Sequence, residues 1–202
     1  MSDHSYVTRR AMLAFAAGTL AASVPLPAVA MTKRSARKLV ERVVADINTV
    51  IDSGKSEEDM LADFEQIFVD YADVNTIARY ALGVEARSAT ASQLKAFTAA
   101  FQKYMAGKYG RRFREFIGGR VEVTGVREVK SFFEVTTIAH LQGVAPFEVA
   151  FLVSDRSGEE KFFNMLIEGL SMLLSERNEI GAMLDKRGGD LDRMIKDLQK
   201  LG

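Results

Sequence analysis

The chain has 202 residues, with 27 Lys and Arg against 27 Asp and Glu, no Cys, no Trp and 2 His. So even a balance gives no electrostatic case for nucleic-acid binding. Without cysteine there is no disulfide frame, and a zinc site would need carboxylates clustered around a histidine, a spacing the sequence does not show.

The N-terminus reads as an export segment. Arg9-Arg10 is followed by an Ala-rich apolar stretch from Ala11 to Val24, then Pro25, Pro27 and Ala28-Val29-Ala30. A basic start, an apolar middle and small residues at the cleavage positions are the three parts of a signal peptide. Thr8-Arg9-Arg10-Ala11-Met12-Leu13 also resembles the twin-arginine export motif. The stretch is too short and too weak for a bilayer span, which takes about 20 strongly apolar residues. Residues 1–30 are expected to direct export and residues 31–202 to form the mature domain.

Helical spacing starts the mature part. Leu39/Val40, Val43/Val44, Ile47 and Val50/Ile51 repeat at helical period and end at Gly54. Ser56 with Asp59 has the form of a capping box for a second helix carrying Met60/Leu61, Phe64, Ile67/Phe68 and Tyr71. Asp73 is placed to cap a short third helix through Ile77 and Leu82, stopped by Gly83. Thr90 or Ser92 opens a long fourth helix through Leu94, Phe97, Phe101, Tyr104/Met105, Tyr109, Phe113 and Phe116/Ile117, which Gly118-Gly119 is expected to end.

The period then changes. "RVEVTGV", "FFEVTTIAHL", "PFEVAFLVSD" and "EKFFNMLI" are short and rich in β-branched and aromatic residues. Four such stretches without intervening helices predict an antiparallel meander. In the third, Phe147, Val149, Phe151 and Val153 share one face and Ala150 and Leu152 the other; the fourth is apolar on both faces except for Asn164. A meander sheet usually wets one side, whereas here both sides read as covered. Helical spacing returns with Leu170, Leu173/Leu174, Arg177, Ile180 and Leu184, and Asp190 caps a last helix. Helices, then strands, then helices predict a single α+β domain of about six helices packed on a four-stranded antiparallel curved sheet.

Glu168-Gly169 marks the corner between the last strand and the following helix. Gly169 supplies backbone freedom there, and Glu168 is suited to accept backbone N–H groups at the helix start, where negative charge is favoured. Arg177, on an otherwise apolar helix, is expected in a buried ion pair, with Glu168 as its candidate partner.

The catalytic inventory is poor. His140 is the one histidine outside the export segment, and its strand setting in "TTIAHLQG" favours a structural role. No Ser-His-Asp or Cys-His arrangement and no Gly-rich phosphate loop is present. An enzyme built on this cavity type would draw on His140, Glu134 or Glu148, the strand residues able to act as acid or base. No cofactor and no metal are expected.

The stretches "FEQIFVDYADVNTIARYALG", "AFQKYMAGKYGRRF", "VEVTGVRE" and "IEGLSMLLSERNEI" resemble the MlaC, or toluene-tolerance, family of periplasmic phospholipid-binding proteins. The likeness is most specific at Asp73 with Ile77-Ala78-Arg79 and Leu82-Gly83, and at Ile167-Glu168-Gly169 with Ser171 and Arg177. Phe163-Asn164 stands where the family often has Tyr-Asp. The resemblance implies a non-enzymatic periplasmic shuttle that encloses phospholipid acyl chains between helices and sheet. It would carry them between an inner-membrane ABC transporter complex and an outer-membrane lipoprotein complex. A carrier of hopanoid or other hydrophobic lipid would use the same walls. The physical need is plain: at about 0.8 kcal/mol per CH₂, two chains of about 15 methylenes cost roughly 24 kcal/mol to expose to water.

The resemblance makes cavity-lining candidates of Phe64 and Phe68 on the second helix, and of Phe97, Phe101, Met105 and Tyr109 on the fourth. Val149 and Phe151 on the third strand, Phe163, Met165 and Ile167 on the fourth, and Leu170, Leu173 and Leu174 beyond the corner complete the set. Aromatics at helical spacing serve equally as ordinary core. Arg111, Arg112 and Arg114 are candidates to meet a phosphate at the cavity mouth, or else form a solvated helix end.

Overall fold

The computed structural model describes residues 31–112 and 118–202. The expected export segment, and Phe113, Arg114, Phe116 and Ile117 of the expected fourth helix, lie outside these residues.

Helix α1 (Lys33–Ile51) starts in a reciprocal cap: Thr32 Oγ1 accepts from Ser35 N–H at 3.1 Å and Ser35 Oγ accepts from Thr32 N–H at 3.0 Å. Its buried stripe runs from Ala36 through Leu39, Val43 and Ile47 to Val50. Helix α2 (Glu57–Tyr71) is capped by Ser56, which accepts from Asp59 N–H at 3.2 Å, and α3 (Val74–Leu82) by Asp73, which accepts from Thr76 N–H at 3.1 Å. A 3-10 segment, Gly83–Arg87, leads to α4 (Ala91–Gly110), opened by a Thr90/Gln93 capping box. The α-helix stops at Gly110, short of the expected Gly118-Gly119.

Strands β1 (Arg120–Val129), β2 (Phe132–His140), β3 (Phe147–Ser154) and β4 (Lys161–Ile167) form the expected antiparallel meander, with a fifth strand, β5 (Leu170–Ser171), added at its edge. The sheet therefore has five strands in sequence order among the described residues. The extra strand arises because Glu168 and Gly169 both take positive φ, 50° and 79°. Positive φ at both central residues is the geometry of a tight hairpin turn, so Ile167 pairs with Leu170 and Leu166 with Ser171 before the chain turns into helix. Helices α5 (Met172–Asp185) and α6 (Leu191–Leu198) complete a single α+β domain.

Helix α1 packs across β1, β2 and β3, while α4 packs on α2, α3 and α6, and α5 on α3 and β4. On the sheet face toward α1 stand Val121, Thr137, Ala139, Val149 and Phe151. The opposite face is buried at β3, where Ala150 and Leu152 are 1% and 9% exposed, as expected of a sheet covered on both sides, but it is largely polar on β1 and β2. Arg127 there makes paired bonds of 2.8 and 2.9 Å to Glu134, and His140 Nε2 lies 3.2 Å from Glu122. A register shift between Leu152 and Val153 leaves Phe163 as an extra residue in β4. Such a bulge re-aims side chains: Phe162 enters the core, 3% exposed and edge-on to Phe151.

Candidate functional site

The space between α1, the last turns of α4 and the sheet is hollow. The larger chamber has a volume of about 420 Å³, inside the range of about 300–1,000 Å³ usual for ligand sites. Val44 and Ile47 of α1, Tyr109 and Arg112 at the end of α4, and the inward residues of β1 to β4 line it. The loop 141–146, through Leu141, Val144, Ala145 and Pro146, and the Glu168 corner form its remaining boundary. A smaller, inner-helix chamber of about 60 Å³ adjoins it, between α1, α2 and α4, walled by Val43, Phe64, Ile67, Phe68, Met105 and Phe162. Ile47, Tyr109, Phe151 and Met165 border both chambers.

Polar groups in the larger chamber are few. Thr137 is fully buried, and its hydroxyl donates to the Val149 carbonyl at 2.7 Å. His140, Glu134 and Glu148 are not among the lining residues, because strand alternation sends them to the other face while Thr137, Ala139 and Val149 point inward. Among the described residues no group of three or more His, Cys, Asp or Glu is placed to hold a metal, and no helix is long and apolar enough to cross a membrane.

The structure sorts the sequence candidates by position. Phe64, Phe68 and Met105 border the inner chamber, Val149 and Ile167 the outer, and Tyr109, Phe151 and Met165 both. Phe97 and Phe101 do not reach either chamber. They are fully buried, with rings 5.5 Å apart, because α4 packs on other helices and only its last turns approach the sheet. Phe163 stands edge-on to Phe132 at 5.6 Å, displaced by the bulge. Leu173 is packed in the core at 7% exposure, and Leu170 and Leu174 are on the surface, 73% and 53% exposed. Leu170 was expected in the helix, but the tight turn places it in β5.

The cations sort likewise. Arg112 lines the outer chamber, whereas Arg111 folds back along its own helix toward Gly107 and donates to the Leu201 carbonyl at 3.4 Å. Glu168 lines the outer chamber but does not cap α5. Ser171 does so, accepting from Leu174 N–H at 3.3 Å, and Asn164 Oδ1 accepts from Leu173 N–H at 3.1 Å. Arg177 is not the buried charge of α5. It lies over the Tyr80 ring, 5.4 Å from the centroid.

The buried charge is Glu176, fully enclosed. Its Oε1 accepts from Lys108 Nζ at 2.9 Å and from the Tyr109 hydroxyl at 2.7 Å. Lys108 also bonds Glu179 and lies 3.1 Å from the Tyr104 hydroxyl. Burial, with the nearby Glu176 charge, pushes the hydroxyls of Tyr104 and Tyr109 well above the ordinary tyrosine range. Burial opposes the Lys108 ammonium, but its bonds to Glu176 and Glu179 outweigh that and raise it. Burial opposes the Glu179 carboxylate too, yet Lys108 and Tyr104 hold it below the usual range. The sequence did carry a signal for Glu176: Met172, Glu176, Ile180 and Leu184 fall four apart on one helix face. Reading the stripe through Arg177 missed it by one residue.

A helix-and-sheet shell around an apolar chamber defines an α+β domain with a ligand-sized interior. The family described as MlaC protein matches residues 37–200, and the chain belongs to that family. Among solved structures, the chain is similar to a phospholipid-binding protein from Ralstonia solanacearum determined in complex with a phospholipid. The two share 20% sequence identity and a TM-score of 0.68, over 81% of this chain and 98% of that one.

Proposed function

We propose that this chain binds a phospholipid by enclosing its acyl chains in the apolar space between helices and sheet, and carries it across the periplasm between an inner-membrane ABC transporter complex and an outer-membrane lipoprotein complex. The observation that supports this best is the lining: about 420 Å³ of space bounded mostly by Val, Ile, Ala, Phe, Leu and Met side chains. Such a wall has little to offer a polar solute, which needs several convergent polar groups. An acyl chain moves from bilayer to apolar wall at nearly constant hydrophobic free energy, so loading and release need no covalent step. Family membership and the phospholipid seen in the Ralstonia solanacearum protein support the same ligand class. Arg112 at the chamber edge is the group suited to a headgroup phosphate, and residues 1–30 would deliver the domain to the periplasm.

The test is native mass spectrometry of the mature protein purified gently from its host, followed by lipid extraction. One phospholipid per chain is expected. Empty protein that also takes no phospholipid from liposomes overturns the reading, and extraction of a polycyclic lipid instead redirects it.

A further inference from the structure

The two chambers adjoin at four side chains that border both: Ile47, Tyr109, Phe151 and Met165. Three of these are wholly apolar and have no polar anchor. Tyr109 is different. Its hydroxyl leaves the chambers and donates at 2.7 Å to Glu176, a carboxylate with no exposed surface. Glu176 is in turn held by Lys108 at 2.9 Å. The other oxygen, Oε2, is buried and has no hydrogen-bond partner among the described residues. A carboxylate committed to its bonds through one oxygen is costly to disturb, because moving Tyr109 away strips part of that compensation from a buried charge. The tyrosine ring is therefore fixed from behind, while the residue borders both chambers.

We propose that Tyr109, pinned by Glu176 and Lys108, is the residue that sets how far an acyl chain penetrates, and so selects phospholipids by chain length. Glu176 and Lys108 act as positioning residues and do not touch the lipid. The inference rests on the phospholipid-binding reading above. The scale is set by the inner chamber: one water-sized group needs about 10–15 Å³ by this measure, so 60 Å³ admits only the last few carbons of a chain. On this proposal a chain ends in the outer chamber while the ring is in place. With the ring released, the two spaces join and a longer chain is accommodated.

The experiment incubates the mature protein with vesicles of equimolar dimyristoyl-, dipalmitoyl- and distearoyl-phosphatidylglycerol, and reads the bound species by native mass spectrometry. Wild type, Tyr109→Phe, Tyr109→Ala and Glu176→Gln are compared, with thermal unfolding of each apo protein. Wild type is expected to favour the shorter chains. Tyr109→Ala should shift the preference upward by about four carbons. Tyr109→Phe and Glu176→Gln should broaden the distribution of bound species toward the longer chains. Tyr109→Phe keeps the ring and removes only the hydroxyl, so it decides the matter if either other variant does not fold. An unchanged chain-length distribution in Tyr109→Phe overturns the inference while leaving phospholipid binding intact. Wild type that takes up none of the three lipids overturns the reading on which it rests, and the inference with it.

Discussion

Asn164, the one polar residue of strand β4 with its side chain in the core, holds the first turn of α5: its Oδ1 accepts from the Leu173 backbone N–H at 3.1 Å. Its Nδ2 donates to Ser171 Oγ at 3.0 Å, and that same hydroxyl oxygen accepts from Leu174 N–H at 3.3 Å. Strand and helix are thus joined through two of the free N–H groups that every helix start presents. Asn164→Ala leaves the buried Leu173 donor unpaired and should cost about 2 kcal/mol in urea unfolding. Ser171→Ala should cost about 1 kcal/mol. Because the two side chains bond each other, the double variant should lose less than the sum; strict additivity would show that they act separately.

Lys108 and Glu176 are expected to be asymmetric in their effects. Lys108→Met leaves a fully enclosed carboxylate without its cation, and should destabilise by about 3 kcal/mol. Replacing both, as Lys108→Met with Glu176→Leu, removes the buried charge altogether and should recover a large part of that loss. A double variant as unstable as Lys108→Met alone would mean that the cost lies in packing.

The same cluster sets an alkaline limit. Tyr104 and Tyr109 are raised above the ordinary 10.0, and Lys108 above 10.5. Above pH ~10 the native state keeps protons that the unfolded chain releases, so this contribution is whole below that pH and is lost as pH rises further. Tyr104, 4% exposed, should account for about 1.4 kcal/mol per pH unit. Urea midpoints measured from pH 9 to 11 should therefore fall less steeply in Tyr104→Phe than in wild type. Glu179 has the opposite sign: it is lowered from 4.5, so its contribution is present above that pH and is lost as pH falls through the native value.

Tryptophan scanning separates chamber wall, core and surface within one short stretch. Met165→Trp and Ile167→Trp put bulk into the chambers, and should displace lipid while the apo protein melts near the wild-type temperature. Leu173→Trp overfills packed core, and should cost about 1–3 kcal/mol. Leu174→Trp lies on the surface, and should change neither property. Lipid loss in Leu174→Trp, or its full retention in both Met165→Trp and Ile167→Trp, would contradict this placement of the wall.

The sequence by itself determined the class of fold, because class is written in local signals. Apolar period marked α1 and α2, cap residues Ser56, Asp73 and Asp190 marked helix starts, and β-branched runs marked four strands of the meander. It also showed how much apolar surface the chain carries between Phe162 and Ile180, and that little catalytic chemistry accompanies it. Only the tertiary structure decided where that surface goes. Phe97 and Tyr109 lie on the same helix at compatible spacing, yet one is core and the other wall, because α4 meets its neighbouring helices along most of its length and the chambers only at its end. The bulge that displaces Phe163 and the turn that lifts Leu170 into β5 are set by cross-strand register. Glu176 was legible as a charge in an apolar stripe, but its partners Lys108 and Tyr109 come from another helix. Period describes one element at a time, whereas a cavity is the space several elements fail to fill, so its boundaries follow from packing between them.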